Sequence, residues 1–190
     1  VLDGAVVIFC AVGAVEPQSE TVWRQADRYQ VPRIAFVNKL DRTGSNFFAV
    51  VDEMHKKLGA NAAAVQIPFG QEENFKGIID IVEKKIIVYK EDSVKGFEIE
   101  DVTGAVLSEQ VNKYHNVLLE RLAETDEGIM DKFVHSKDIT IAQIKEAIRR
   151  STISNKFVPV LCGSSLRNKG IQPLLDAICD YLPSTSDLPP

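Results

Sequence analysis

An amide, a cation and a carboxylate stand at close spacing in Asn38-Lys39-Leu40-Asp41, directly after the apolar run Ile34-Ala35-Phe36-Val37. A short buried strand that ends in such a loop presents hydrogen-bonding groups at the carboxyl edge of a sheet, where open α/β folds bind ligands. The chemistry on offer is discrimination between purine bases. Guanine carries N1–H and N2–H2 donors side by side, and one ionised Asp41 carboxylate accepts both through its two oxygens. Adenine has an acceptor at N1 and no 2-amino group, so it would leave Asp41 facing a lone pair at a cost of order several kcal/mol. The Asn38 amide suits the N7/O6 side of the base and can tie the loop to its neighbours, while the Lys39 stem can lie flat along the ring.

Other residue types with chemical potential are scattered. Cys10, Cys162 and Cys179 lack metal-type spacing and read as small buried hydrophobes in a reducing, cytoplasmic compartment. His55, His115 and His135 lie far apart on polar or mixed helical segments and are assigned no chemistry. No metal site and no catalytic residue is expected in the chain.

The elements that must hold the loop follow from apolar periodicity. Residues 5–12 form a near-continuous apolar run bounded by Gly4 and Gly13, the pattern of a strand buried on both faces of a parallel sheet. A helix follows with Pro17 in its first turn and Val22, Trp23, Ala26 and Tyr29 at helical spacing before Pro32. After the strand at 33–37 and the Asp41 loop comes a helix striped by Phe47, Val50, Val51, Met54 and Leu58 and ended by Gly59. This βαβα alternation predicts an α/β fold with a doubly wound parallel sheet.

The rhythm then breaks. Residues 63–68 are extended, 77–82 and 85–89 read as two strands around Glu83-Lys84, and 91–103 read as polar connection. A long helix from Ala105 to about Thr125 turns Val106, Val111, Tyr114, Val117, Leu118 and Leu122 inward. A shorter helix carries Ile129, Met130 and Phe133, and a third opens with a Thr140/Gln143 capping box. The α/β pattern resumes with the strand 157–162, the loop Gly163-Ser164-Ser165-Leu166 and a helix lined by Ile171, Leu174, Leu175, Ile178 and Leu182. The expected division is residues 1–62 and 157–182 as one α/β unit, 63–156 as an α+β insertion, and 183–190 as a linker.

Bulk properties bound the rest. The 190 residues suffice for one domain with an insertion, and no apolar run approaches the ~20 residues of a membrane span. The net charge of −5 is concentrated in residues 66–156, with 13 basic and 17 acidic residues against 9 and 10 elsewhere. Such a surface disfavours phosphate backbones and suits a protein partner or simple solubility. The chain opens on Val1 and runs straight into a strand, which reads as a piece of a longer protein.

The second loop completes the picture: Gly163-Ser164-Ser165-Leu166 after a buried strand resembles the S-A-[KLF] loop of GTPases, whose backbone N–H groups meet the guanine O6, with Ser165 in place of alanine. With Val15-Glu16-Pro17-Gln18-Ser19-Glu20-Thr21, residues 33–42, Ile67-Pro68-Phe69-Gly70, residues 75–80 and 158–172, nearly the whole chain resembles the G domain of the translation elongation factor G family. Cys10-Ala11-Val12-Gly13 is similar to its mitochondrial and spirochaete-type branch.

The resemblance implies a P-loop NTPase-like GTPase domain lacking its N-terminal part. Its guanine site would comprise Asn38, Lys39, Asp41, Ser164, Ser165 and Leu166. The whole protein would couple GTP hydrolysis to movement of tRNA and mRNA through the ribosome or, in a recycling paralogue, to splitting ribosomes. The tetracycline-resistance and termination factors of the same superfamily share both loops, but residues 70–80 favour elongation factor G. The phosphate loop, the switch threonine with its Mg²⁺ and the D-x-x-G segment with its catalytic histidine precede Val1 in the family order, and no G-x-x-x-x-G-K-[ST] occurs here. The chain alone is therefore expected to hydrolyse no GTP and to bind GTP or GDP weakly or not at all. The insertion implies contact with the ribosomal stalk protein, through acidic helices bearing Glu109, Glu120, Glu124 and Glu127. A non-enzymatic stalk-binding module is the other reading of the isolated chain. A monomer is expected, in the cytoplasm or, for a eukaryotic protein, the mitochondrial matrix; tRNA and mRNA would be met only by domains outside this sequence.

Overall fold

Ile34, Ala35, Phe36 and Val37 are fully buried, and the rest of the molecule is arranged around the strand they form. In this computed structural model, which describes residues 2–90 and 96–187, the first half runs β1 (Ala5–Cys10), α1 (Pro17–Arg28), β2 (Arg33–Asn38) and α2 (Phe47–Leu58). Then come β3 (Ala62–Ala64), β4 (Gln66–Phe69), a 3₁₀ turn at Glu72–Asn74, β5 (Gly77–Asp80), β6 (Lys85–Tyr89) and β7 (Phe97–Asp101). The chain closes with α3 (Ala105–Ala123), α4 (Glu127–Val134), α5 (Ile141–Ile153), β8 (Val158–Cys162) and α6 (Ile171–Tyr181).

Two sheets result. The first is parallel, in the order β1-β2-β8-β3, and the second antiparallel, in the order β4-β5-β6-β7. Central β2 is held at its start by Arg33, which donates to the Trp23 carbonyl at 3.1 Å and pairs with Asp27 at 2.7 Å. Each fully buried isoleucine or phenylalanine of this core is worth about 1.5–3 kcal/mol.

The expected helices form where their end signals lie. Pro17 starts α1, the Asn46 side chain caps α2 by accepting from the Ala49 N–H at 3.0 Å, and left-handed Gly59 ends it. Both hydrogen bonds of the Thr140/Gln143 capping box are present at α5.

Several expectations give way to packing. In β1 the side chains alternate, with Val7 and Phe9 buried and Ile8 exposed, so one face of the strand packs on the core and the other is uncovered among the described residues. On α3, Val106 and Val117 face solvent while Leu119 and Ala123 turn inward. Val22, Tyr29, Met130 and Leu175 are likewise exposed. Cys162 is buried, but Cys179 is exposed and Cys10 only partly covered.

Residues 97–101, expected as connection, are the edge strand β7, with Lys85 paired to Asp101 and Lys90 to Glu98 across the ladder. The remainder of that expected connection, 91–95, lies outside the described residues. Packing also crosses the division expected at 63 and 156. β3 is part of the parallel sheet, α3 packs on β3, α5 packs on β2, β8 and α6, and the buried side chains form one continuous cluster. Nor does the tail hang free through residue 187: the Arg149 guanidinium donates to the Leu182 carbonyl at 2.9 Å and to the Asp187 carboxylate at 2.6 Å. Residues 188–190 lie outside the described part.

Candidate guanine-binding site

β2 and β8 lie side by side and parallel, with Val37 opposite Cys162, so the loops that follow them leave the same edge of the sheet together. One backbone hydrogen bond links them first, from the Leu40 N–H to the Gly163 carbonyl at 3.2 Å. Buried Leu40 anchors the first loop to the core.

The Asn38 carboxamide forms the second link and the tightest. Its Oδ1 accepts from the Lys39 N–H at 2.8 Å and the Ser165 N–H at 2.9 Å, and its Nδ2 donates to the Ser165 hydroxyl at 2.9 Å. Ser165, where the GTPase pattern has alanine, therefore adds a hydrogen bond that alanine could not make. One Nδ2 hydrogen remains for a base. Because the Ser165 N–H is spent on Asn38, the donor left in this loop for a carbonyl oxygen is Leu166 N–H, which meets no acceptor among the described residues. The Leu166 side chain itself is exposed.

Asp41 stands beside buried Ser164. Burial alone would raise the Asp41 pKa, but the neighbouring Ser164 hydroxyl, the residue's own backbone N–H and the Arg42 and Arg167 charges outweigh it and hold the pKa below the ordinary value. Asp41 is thus ionised at neutral pH, as acceptance of two guanine N–H donors requires. Ser164 is buried, and its hydroxyl accepts from the Arg167 N–H at 3.4 Å. Lys39 is exposed, with φ +67°, a left-handed backbone that costs a residue with a Cβ roughly 1–2 kcal/mol.

The structure thus joins Asn38 and Ser165 by hydrogen bonds, places Asp41 and buried Ser164 beside them, and sets Lys39 and Leu166 at the exposed rim. Sequence reasoning missed Arg167, whose Nε lies 3.8 Å from Asp41 Oδ2. Its position one residue past Leu166 was the available signal. It also missed Glu72 of the 3₁₀ turn, which accepts from the Gly44 N–H at 2.7 Å.

Two glycines let the second loop close. A Cβ at Gly163 would lie 2.3 Å from the Lys169 carbonyl oxygen and 2.8 Å from Phe36 Cζ, and one at Gly170, already at φ +84°, would lie 2.4 Å from the Cys162 carbonyl oxygen. Backbone hydrogen bonds between Ser164 and Lys169, at 2.9 and 3.0 Å, tie the loop's ends.

The three histidines each bond a backbone carbonyl through Nδ1: His55 to Ala60, His115 to Ile81 and His135 to Asp131. Among the described residues no three His, Cys, Asp or Glu side chains converge as metal ligands. Nor is any helix among them long and apolar enough to cross a membrane.

A family model described as elongation factor Tu GTP binding domain matches residues 1–184. Elongation factor G 2 of Syntrophomonas wolfei subsp. wolfei is 50% identical over 189 residues, covering all of this chain and 27% of that protein. A crystal structure of a protein from Thermus thermophilus superposes with a TM-score of 0.83 at 27% identity, over 96% of this chain and 27% of the other. The chain spans about a quarter of the length of these relatives. Two base-edge loops joined by one asparagine on a parallel sheet, and a family match over nearly every residue, have one conclusion: the chain belongs to the elongation factor Tu GTP binding domain family, and its likeness there is to elongation factor G.

Proposed function

We propose that this chain is the guanine-recognising part of a translational GTPase, and that the full-length protein hydrolyses GTP on the ribosome to drive tRNA–mRNA translocation. The observation that carries the reading is the Asn38 carboxamide, which fastens both base-edge loops at once and leaves ionised Asp41 beside them. In the bound state Asp41 accepts guanine N1–H and N2–H, the free Asn38 Nδ2 hydrogen and Leu166 N–H serve the N7/O6 side, and the Lys39 stem covers the ring. Ser164 and Ser165 hold these groups in place.

The similarity to elongation factor G supports the choice of ribosome and of reaction. Residues 63–156 are proposed as the insertion of that family, whose acidic side chains Glu109, Glu120, Glu124 and Glu127 would meet the stalk protein. The protein would act as a cytoplasmic monomer. GTP hydrolysis by the full-length protein should rise at least tenfold on adding ribosomes, and mRNA on a pre-translocation complex should advance. Absence of stimulation would refute the ribosome assignment. Stimulated hydrolysis with ribosome splitting and no mRNA movement would favour the recycling role.

A further inference from the structure

Both base-edge loops are braced by the second sheet, at positions no base-reading motif includes. At the end of β6 the Tyr89 hydroxyl accepts from the Gly170 N–H at 2.7 Å and lies 3.4 Å from Gln172 Oε1, to which it donates. Tyr89 can do both only as a neutral phenol, and burial, only partly offset by the Gly170 hydrogen bond, pushes its pKa up. One residue before Gly170, Lys169 reaches the connection between β4 and β5, donating through Nζ to the Phe75 carbonyl at 2.7 Å. The Asp41 side is held separately, by the 2.7 Å hydrogen bond from the Gly44 N–H to the Glu72 carboxylate.

These contacts act on the loops at points where the loops have little freedom. Gly170 is the left-handed residue that closes the 163–170 loop, and its neighbour Lys169 shares two backbone hydrogen bonds with Ser164. A displacement of Gly170 therefore passes directly to Ser164, Ser165 and Leu166. Gly44, also left-handed, lies three residues beyond Asp41 in a loop stapled by hydrogen bonds from Arg42 N–H to the Lys39 carbonyl and from Ser45 N–H to the Arg42 carbonyl.

We propose that Tyr89 and Glu72 are positioning residues for guanine: Tyr89 sets the loop that meets O6, and Glu72 sets the loop that carries Asp41. The second sheet thereby becomes part of the nucleotide site without touching the base. This rests on the assignment of the two loops as the guanine site. By linkage, any partner that shifts β4–β6 changes nucleotide affinity, and nucleotide changes that partner's affinity by the same factor.

The two arms act on different edges of the base, which gives a readout that loss of stability alone would not produce. In the full-length protein, affinities for GDP, inosine diphosphate, which lacks the 2-amino group, and 2-aminopurine riboside diphosphate, which lacks O6 and with it the N1–H but keeps the 2-amino donor, are measured by competition for wild type, Tyr89→Phe and Glu72→Ala. Tyr89→Phe removes an acceptor and little volume, and should weaken GDP about five- to tenfold while leaving the 2-aminopurine analogue within about twofold. Glu72→Ala should weaken GDP about three- to fivefold and inosine diphosphate less. Equal loss for all three ligands, or no loss, would overturn the proposal. A wild-type protein that binds the analogues as well as GDP would instead overturn the guanine-site assignment on which it stands.

Discussion

Replacing Asp41 with asparagine in the full-length protein should cost about 10²–10⁴ in GDP affinity and turn the site toward xanthosine diphosphate. Guanine offers two N–H groups to this position, and the ionised carboxylate accepts both. Asparagine keeps the volume but places an NH2 donor against the guanine 2-amino donor. Xanthine has N1–H and a 2-oxo acceptor, which the asparagine oxygen and nitrogen complement. Folding should be little affected, because asparagine keeps the size of aspartate and an acceptor oxygen toward the neighbouring Ser164 hydroxyl. Competition binding with the two diphosphates reads the effect directly, and undiminished GDP preference in the mutant would remove Asp41 from the base slot.

The second large effect is on folding. Gly163→Ala should destabilise the protein by roughly 2–4 kcal/mol, because the new methyl would sit 2.3 Å from the Lys169 carbonyl oxygen and 2.8 Å from Phe36 Cζ. Neither neighbour can give way cheaply. Lys169 is tied to Ser164 by two backbone hydrogen bonds, and Phe36 is fully buried in the central strand. Gly59→Ala is the matched control: its Cβ would meet nothing within 4 Å, so only the left-handed backbone at φ +63° is penalised, by roughly 1–2 kcal/mol. Denaturant melts of the two variants should separate by at least about 1 kcal/mol. Equal melts would mean that the loop relaxes around the methyl.

Why some of this was legible from the sequence and some was not follows from the range of the interactions. The two base-edge loops sit at the ends of apolar runs, and a strand followed by polar groups is a local signal. The Thr140/Gln143 capping box and the β5–β6 pairing around Glu83-Lys84 are equally local. Strand β7 escaped because Phe97-Glu98-Ile99-Glu100-Asp101 is mostly acidic. Its place on the sheet edge rests on cross-strand Lys85 and Lys90, which no window over residues 97–101 contains.

The same limit hid the site's supports. Tyr89 and Gly170 are 81 residues apart, and Gly44 and Glu72 are 28 apart, so nothing in either neighbourhood marks the contact. Helix faces were misjudged for a related reason. The apolar stripe on α3 is broad enough that only the packing on β3, α4 and α5 decides that Leu119 goes in and Val117 stays out. Ser165 shows the reverse case: the hydroxyl that stands where the family pattern has alanine accepts a hydrogen bond from Asn38.

The central claim is that two loops joined through Asn38 select guanine, and competition between GDP and ADP on the full-length wild-type protein tests it most directly. The arrangement of ionised Asp41 against guanine N1–H and N2–H requires a preference for GDP of about 10³-fold or more. Comparable affinities for the two diphosphates would contradict it.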